Sequence, residues 1–239
     1  MESSEATVMT MDKLKDYLKK NGAVEVGFAD ISDVTPKKGL NQGVAFYITY
    51  PPEVILTIRD SPTRDYLNHY DWLNEKLDSL GELCKDYIND LGFRAYAQTT
   101  RNLGWDFGKD NSFELPHKTV ATKAGLGWIG KSALFVTRKY GSALRLSSVL
   151  TDAPLDLDEP IEKSYCGECM QCRDTCPAGA VSGINWNVNL KRNDFYDDKK
   201  CRDYANDISL KHLGLDKLIC GKCIYECPHT QKYLKKIKV

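Results

Sequence analysis

A chain of 239 residues, 42% hydrophobic and 28% charged, is long enough for one sizeable core and a smaller second unit. Its 33 Lys/Arg balance 33 Asp/Glu, so no global field recruits nucleic acid or an anionic membrane. The acidic start Met1-Glu-Ser-Ser-Glu lacks a secretory pattern, and apolar runs such as residues 44–48 are far too short to span a bilayer. A cytoplasmic protein with no membrane partner is expected. In that reducing setting nine cysteines argue for metal binding or redox chemistry rather than disulfides.

In chain order, Thr10 can cap a helix carrying Leu14, Tyr17 and Leu18 on one stripe, with Gly22 as its stop. Residues 23–29 and 43–50 read as strands. Ser61-Pro62 offers an N-cap and a first-turn proline for a long helix over residues 63–91. There Leu73, Leu77, Leu80, Cys84, Tyr87 and Leu91 recur at three- and four-residue steps, and Gly92 ends the pattern. Cys84 falls on this buried stripe and reads as a small core hydrophobe. Residues 93–98 suggest a strand, residues 115–124 a short helix with Pro116 in its first turn, and residues 132–137 and 143–150 two more strands. This order suggests α+β or α/β, with the sheet order unreadable. Residues 152–162 form an acidic, proline-bearing linker, dividing an α/β unit (1–155) from a cysteine-rich unit (156–239).

Eight cysteines lie in that second unit. Cys166, Cys169, Cys172 and Cys176, followed by Pro177, spell C-x2-C-x2-C-x3-C-P. Short spacings let three thiolates of one tight loop reach three irons of a cubane, while the fourth points away to the other cluster. Cys220, Cys223 and Cys227, followed by Pro228, spell C-x2-C-x3-C-P, with Lys217 where a further thiol would sit. Cys201 completes the count. The expected pairing is reciprocal: Cys166, Cys169, Cys172 and Cys227 on one 4Fe–4S cluster, Cys176, Cys201, Cys220 and Cys223 on the other. Structural zinc needs neither the third cysteine at x2 nor the terminal Cys-Pro, so two iron–sulfur clusters and one-electron steps are expected.

Residues 124–131, Ala-Gly-Leu-Gly-Trp-Ile-Gly-Lys, contain a literal G-x-G-x-x-G. A dinucleotide fingerprint needs a strand before the glycines and a helix after them, and here the order is reversed, which excludes a Rossmann reading. Three glycines in six residues imply either a plain helix-to-strand turn or backbone that closely approaches something large and flat. Trp128 in the loop suits either a cofactor platform or a buried core position.

This loop, with Tyr140-Gly-Ser142, Leu150-Thr-Asp152, Asp198-Lys-Lys-Cys201 and the double cysteine array, resembles epoxyqueuosine reductase. The likeness is specific from about residue 110 to 230 and general before that. It implies an α+β chain: a mixed α/β, nitroreductase-like domain holding a cobalamin, then a bacterial ferredoxin-like domain holding two 4Fe–4S clusters, as in the related reductive dehalogenases. By that resemblance Gly125, Leu126, Gly127, Trp128, Ile129, Gly130 and Lys131, with Gly141 and Ser142, would line the corrinoid, and His117 and Lys118 would face it. The family's proton-donating aspartate falls at Asn111 here, so the resemblance leaves Asp110, Glu114 or Tyr140 to supply a proton. Electrons would come from a ferredoxin or flavodoxin. The substrate stays open between a small molecule, a corrinoid protein and tRNA. For tRNA the electrostatic support is the local surplus of residues 186–239, with 12 Lys/Arg against 7 Asp/Glu. Two other readings stand beside the reductase: a non-enzymatic two-cluster electron carrier, and a flavin in place of the corrinoid. His69, His212 and His229 carry no motif.

Overall fold

The computed structural model describes residues 10–103 and 114–235. A 3-10 turn over Met11–Lys13 leads into α1 (Leu14–Lys20), β1 (Glu25–Asp30), β2 (Gln42–Thr49), α2 (Pro52–Thr57), α3 (Arg64–Asp90), β3 (Ala95–Ala97) and α4 (Thr100–Leu103). Next come α5 (His117–Lys123), β4 (Trp128–Ile129), β5 (Phe135–Val136) and β6 (Leu144–Thr151). The described residues of the cysteine-rich part hold α6 (Gln171–Asp174), α7 (Arg192–Phe195), α8 (Asp198–Leu213), α9 (Lys222–Tyr225) and α10 (Pro228–Lys235). The class is α+β. Its sheet is antiparallel throughout, in the order β1-β2-β6-β3.

Alternation along the strands decides what packs on each face of that sheet. Val26, Phe28, Val44, Phe46 and Val149 point to one side, where Leu14 and Leu18 of α1 and Leu77, Leu80, Cys84 and Ile88 of α3 close the layer. The opposite side is built from Gly27, Ala29, Gly43 and Ala45, whose small size lets α5 lie almost on the backbone. A Cβ on Gly43 would come within 2.6 Å of Val120, and one on Gly27 within 2.5 Å of the Ala124 carbonyl. Large-and-small strand sequences thus produce two layers of unequal thickness, and the thin one brings α5 and the loop after it close to the sheet.

The long helix forms as its periodicity predicts, with Cys84 fully buried and its thiol pushed well above the usual range by desolvation. Its start differs from expectation. Thr63, not Ser61, is the cap: its hydroxyl accepts from the Tyr66 amide at 3.2 Å, and Pro62 precedes the cap. Thr10 makes no side-chain cap; its backbone is instead gripped by the Tyr87 hydroxyl, which donates to Thr10 O at 2.7 Å and accepts from Thr10 N at 3.0 Å. The expected strand at 132–137 shrinks to Phe135–Val136, because Ala133 takes a φ of 58° in a tight turn.

The acidic stretch at 152–162 is bound along the N-terminal layer. Asp158 exchanges backbone hydrogen bonds with Phe28 at 2.7 Å (through its carboxylate) and 3.0 Å, and pairs with Lys15 at 2.7 Å. Ile161 N donates to Thr122 O at 2.8 Å. Further on, Leu213, Ile219 and Leu234 enter a core with Tyr50, Val54, Ile55, Ile58 and Tyr66, so the cysteine-rich part shares a hydrophobic core with α2 and α3.

Candidate functional site

All nine cysteines are free thiols. The first array is a turn followed by one helical turn. Cys169 N donates to Cys166 O at 3.1 Å across Gly167, which takes a φ of 56°, and α6 then carries Cys172. Cys176 follows, and the Ala180 amide donates to its sulfur at 3.4 Å. Asp197 caps α8 through the Lys200 amide, at 3.0 Å, and so sets Cys201 in the helix's first turn. Gly221, at a φ of 83°, lets the chain turn between Cys220 and α9, which carries Cys223; a Cβ there would strike Ile58 at 2.7 Å. Cys227 stands immediately before α10.

The thiols fall into two nests. Burial, then the nearby Cys166, Cys169 and Cys227 sulfurs, pushes the Cys172 thiol up to about 11. Cys201, Cys220 and Cys223 are likewise raised, by burial first, and each also feels Cys176. The Tyr196 hydroxyl hydrogen-bonds Cys201. Cys223 also feels Cys172, and it borders the small cavity lined by Cys166, Cys169, Cys172 and Cys227, so the nests adjoin. Four half-buried thiols gathered in this way form a donor set that suits a polynuclear cationic core. Among the described residues no three His, Cys, Asp or Glu groups lie close enough to share a single ion. A cubane needs no such convergence, since each iron takes one thiolate.

The glycine loop meets the first nest directly. Trp128 is 1% exposed, and its indole N–H donates to Cys166 Sγ at 3.4 Å. Packing accounts for the glycines around it. Gly125 ends α5 in a left-handed turn, with Gly125 N on Thr122 O and Leu126 N on Ala121 O, both at 3.1 Å. A Cβ on Gly125 would meet Glu159 O at 2.5 Å; one on Gly127 would fall on Val136 O and within 2.8 Å of Phe135; one on Gly130 would come within 2.8 Å of Val136. Leu126 packs against Gly27 on the sheet. Gly130, Lys131 and Ser142 line the cavity of the first nest, while Gly141 is pressed onto Thr230 of α10. Tyr140 stacks edge-on with Tyr47 and Tyr233, at 6.1 and 5.2 Å between ring centres.

A second, larger space of about 620 Å³ opens between α5 and residues 160–195. Lys118 and Ile129 are the expected cofactor residues that line it, with Pro116, Trp186, Arg192 and Phe195. Ile129, Trp186 and Phe195 pack in one cluster with Trp128, so this cleft and the first nest share a wall. The Lys118 ammonium donates to Ala133 O at 2.9 Å; burial first, then Arg192, lowers it to about 8. Of the expected proton donors, Glu114 is exposed and Asp110 lies outside the described residues.

His117 sits on the sheet side of α5. Its Nδ1 lies 2.9 Å from Ser148 Oγ, and Ser148 in turn accepts from Gln98 Nε2 at 2.7 Å. Burial first, then Arg145, lowers its pKa to about 4, so the ring is neutral near pH 7 and holds no spare acidic proton there. Because the unfolded ring titrates near 6.5, the unfolded chain binds more protons between about 4 and 6.5. Stability therefore falls as pH drops through that window. Unfolding free energies from urea titrations at pH 7 and pH 5 should differ by roughly 2 kcal/mol more in the parent than in His117→Gln. Equal pH slopes would show that His117 takes its proton without penalty.

Residues 165–230 match a family described as a 4Fe-4S double cluster binding domain. Among curated proteins the chain is 32% identical over 195 residues to the epoxyqueuosine reductase of Bacillus subtilis, covering 73% of this chain and 46% of that protein. To the enzyme of Salmonella typhimurium it is 35% identical over 132 residues, 52% of this chain and 30% of that one. The chain is similar to epoxyqueuosine reductases. It spans less than half the length of these curated relatives. The fold agrees: an epoxyqueuosine reductase solved with a modified tRNA stem loop superposes with a TM-score of 0.59 at 23% identity, over 92% of this chain and 65% of that one. A catabolic reductive dehalogenase superposes at 0.66 with 18% identity, over 95% and 33%.

His229 was invisible to sequence reasoning. It packs edge-on against Trp128, 5.2 Å between ring centres, and lines the first nest. Its position two residues after Cys227 was the available signal.

Proposed function

We propose that this chain is an iron–sulfur oxidoreductase that passes low-potential electrons through two 4Fe–4S clusters to a corrinoid, as a cobalamin-dependent reductase. The observation that carries it is the pair of four-thiol nests, one of which touches the cofactor-side loop through the Trp128–Cys166 hydrogen bond. Cys166, Cys169, Cys172 and Cys227 would hold the first cluster, and Cys176, Cys201, Cys220 and Cys223 the second. The 620 Å³ cleft is lined by apolar side chains, by cations such as Lys118 and Arg192 and by the carboxylates of Asp33, Glu162 and Asp194, and it shares a wall with the first nest. Lys118, Ile129, Trp186 and Phe195 would bound a corrinoid there. When bound, that group supplies the strongly reducing, nucleophilic cobalt chemistry. Lys118 would offer a cation to its amide or phosphate groups, and Asp110 or Glu114 would provide the proton, since Tyr140 packs between Tyr47 and Tyr233 and does not line the cleft. A ferredoxin or flavodoxin would be the donor. By likeness to epoxyqueuosine reductases, one solved with a tRNA stem loop, modified tRNA is the first substrate to try.

The second reading is a two-cluster electron carrier without its own corrinoid. Supporting it, the backbones of Gly125, Gly127 and Gly130 are occupied by packing. Anaerobic reconstitution followed by iron, sulfide and corrinoid titrations separates the two. The reductase reading expects two clusters per chain and a tight, spectrally shifted corrinoid. Full cluster loading with no corrinoid binding would leave the carrier, and zinc in place of iron and sulfide would remove both.

A further inference from the structure

Lys131 is 1% exposed, among the largest fully buried side chains in the protein. Its ammonium approaches Met170 Sδ at 3.5 Å and has no ion pair among the described residues. A thioether is a weak acceptor and neutralises nothing. Burying a lone ammonium costs several kcal/mol unless an opposite charge compensates it. Lys131 shares its cavity with Cys166, Cys169, Cys172 and Cys227, and Met170 lies between two of those cysteines. The missing counter-charge is therefore the anionic cluster that these four thiolates would hold.

The charges around the second nest are paired instead. Cys201 feels the Asp198 carboxylate, which lies 3.4 Å from the Arg192 guanidinium, and Cys220 feels Lys222, which pairs with Glu226 at 2.9 Å. Its other donors, the Tyr196 hydroxyl and Ala180 amide, are neutral. A cluster gains one negative charge when it takes one electron. A buried cation beside it favours that form, and a carboxylate disfavours it.

We propose that Lys131 is the built-in counter-charge of the Cys166/Cys169/Cys172/Cys227 cluster and makes it the more readily reduced of the two. Electrons then run downhill from the Cys201 side to the cluster that touches Trp128 and the cleft wall. This rests on the two-cluster reading above. It also moves Lys131 from the expected corrinoid contacts to the cluster.

Redox titration followed by electron paramagnetic resonance tests it on reconstituted protein, with dithionite as reductant. In Lys131→Met, at the potential that half-reduces the first cluster of the parent, the reduced-to-oxidised ratio should fall at least tenfold, about 59 mV for one electron. The second cluster should not move, and Lys131→Arg should stay close to the parent. Unchanged potentials in Lys131→Met, or an equal shift in Lys131→Arg, would overturn the proposal. Should Lys131→Met lose one cluster, iron content decides: retention in Lys131→Arg supports the charge role, and loss in both overturns it. A parent protein with no reducible cluster signal defeats the two-cluster reading itself and takes this proposal with it.

Discussion

Cys227→Ala should empty the same cluster as Cys166→Ala, although the two residues are 61 positions apart, and Cys176→Ala should empty the other. Each variant keeps about half the iron and sulfide of the parent, and resonance spectra show which signal is gone. The reason is the geometry of the nests: Cys172 and Cys227 share one, and Cys176 lies with Cys201, Cys220 and Cys223. A chain that filled its clusters in linear order would lose the same signal in Cys176→Ala as in Cys166→Ala. The effect on folding should be large as well. Residues 160–235 hold only short helices apart from α8, and thiolates cross between their two ends, so cluster binding is folding free energy for this part. Removal of either cluster should expose the shared core at Leu213, Ile219 and Leu234 and raise susceptibility to protease there.

The parts legible in the sequence are those with a strong local code. Thiol spacing marks the clusters because cubane geometry demands it, and α3 shows because its stripe runs unbroken for about five turns, from Leu73 to Leu91. α8 was missed for the opposite reason. Only Ala205, Ser209 and Leu213 are buried along its sixteen residues, so its apolar stripe is nearly absent. β4 and β5 are two residues each, below the length at which alternation can be read. The glycine loop carried a strong signal with two meanings. Its glycines promise close approach, and the structure spends that approach on Glu159, Val136 and Phe135. Spacing cannot say whether the approaching surface is a cofactor or the protein's own chain. His229 and Met170 lie beside cysteines in sequence, yet their contacts with Trp128 and Lys131 come from distant segments and needed the fold to appear.

Trp128 belongs to β4, Lys131 to the turn after it, and both point into the cysteine-rich part. The N-terminal part therefore supplies the first nest with an indole N–H and an ammonium, while the second nest draws Tyr196, Asp198 and Ala180 from its own segment. Two clusters held by these near-identical thiol sets would thereby be given different surroundings. A difference in potential would then follow from which side of the interface each cluster faces, without any change of ligand.

That interface has a point where a single methyl group should break it. Gly141 takes a φ of 60°, and a Cβ there would fall on the amide nitrogen and hydroxyl of Thr230. The neighbouring Ser142 amide donates to the same hydroxyl at 3.1 Å. Gly141→Ala must strain the backbone by about 1–2 kcal/mol and also push away the first turn of α10. With that hydrogen bond lost at about 1 kcal/mol, the total comes to roughly 3 kcal/mol before any steric cost. Gly214→Ala is the control, since Gly214 has a φ of 68° and open space around it, so it should cost only the strain. Because α10 begins directly after Cys227, the Gly141 variant should also release iron from the first cluster to a chelator several-fold faster than the parent, and the Gly214 variant should not. Equal losses of stability in the two variants, with equal iron release, would show that the Tyr140–Ser142 turn bears no weight in holding the first cluster's fourth thiolate.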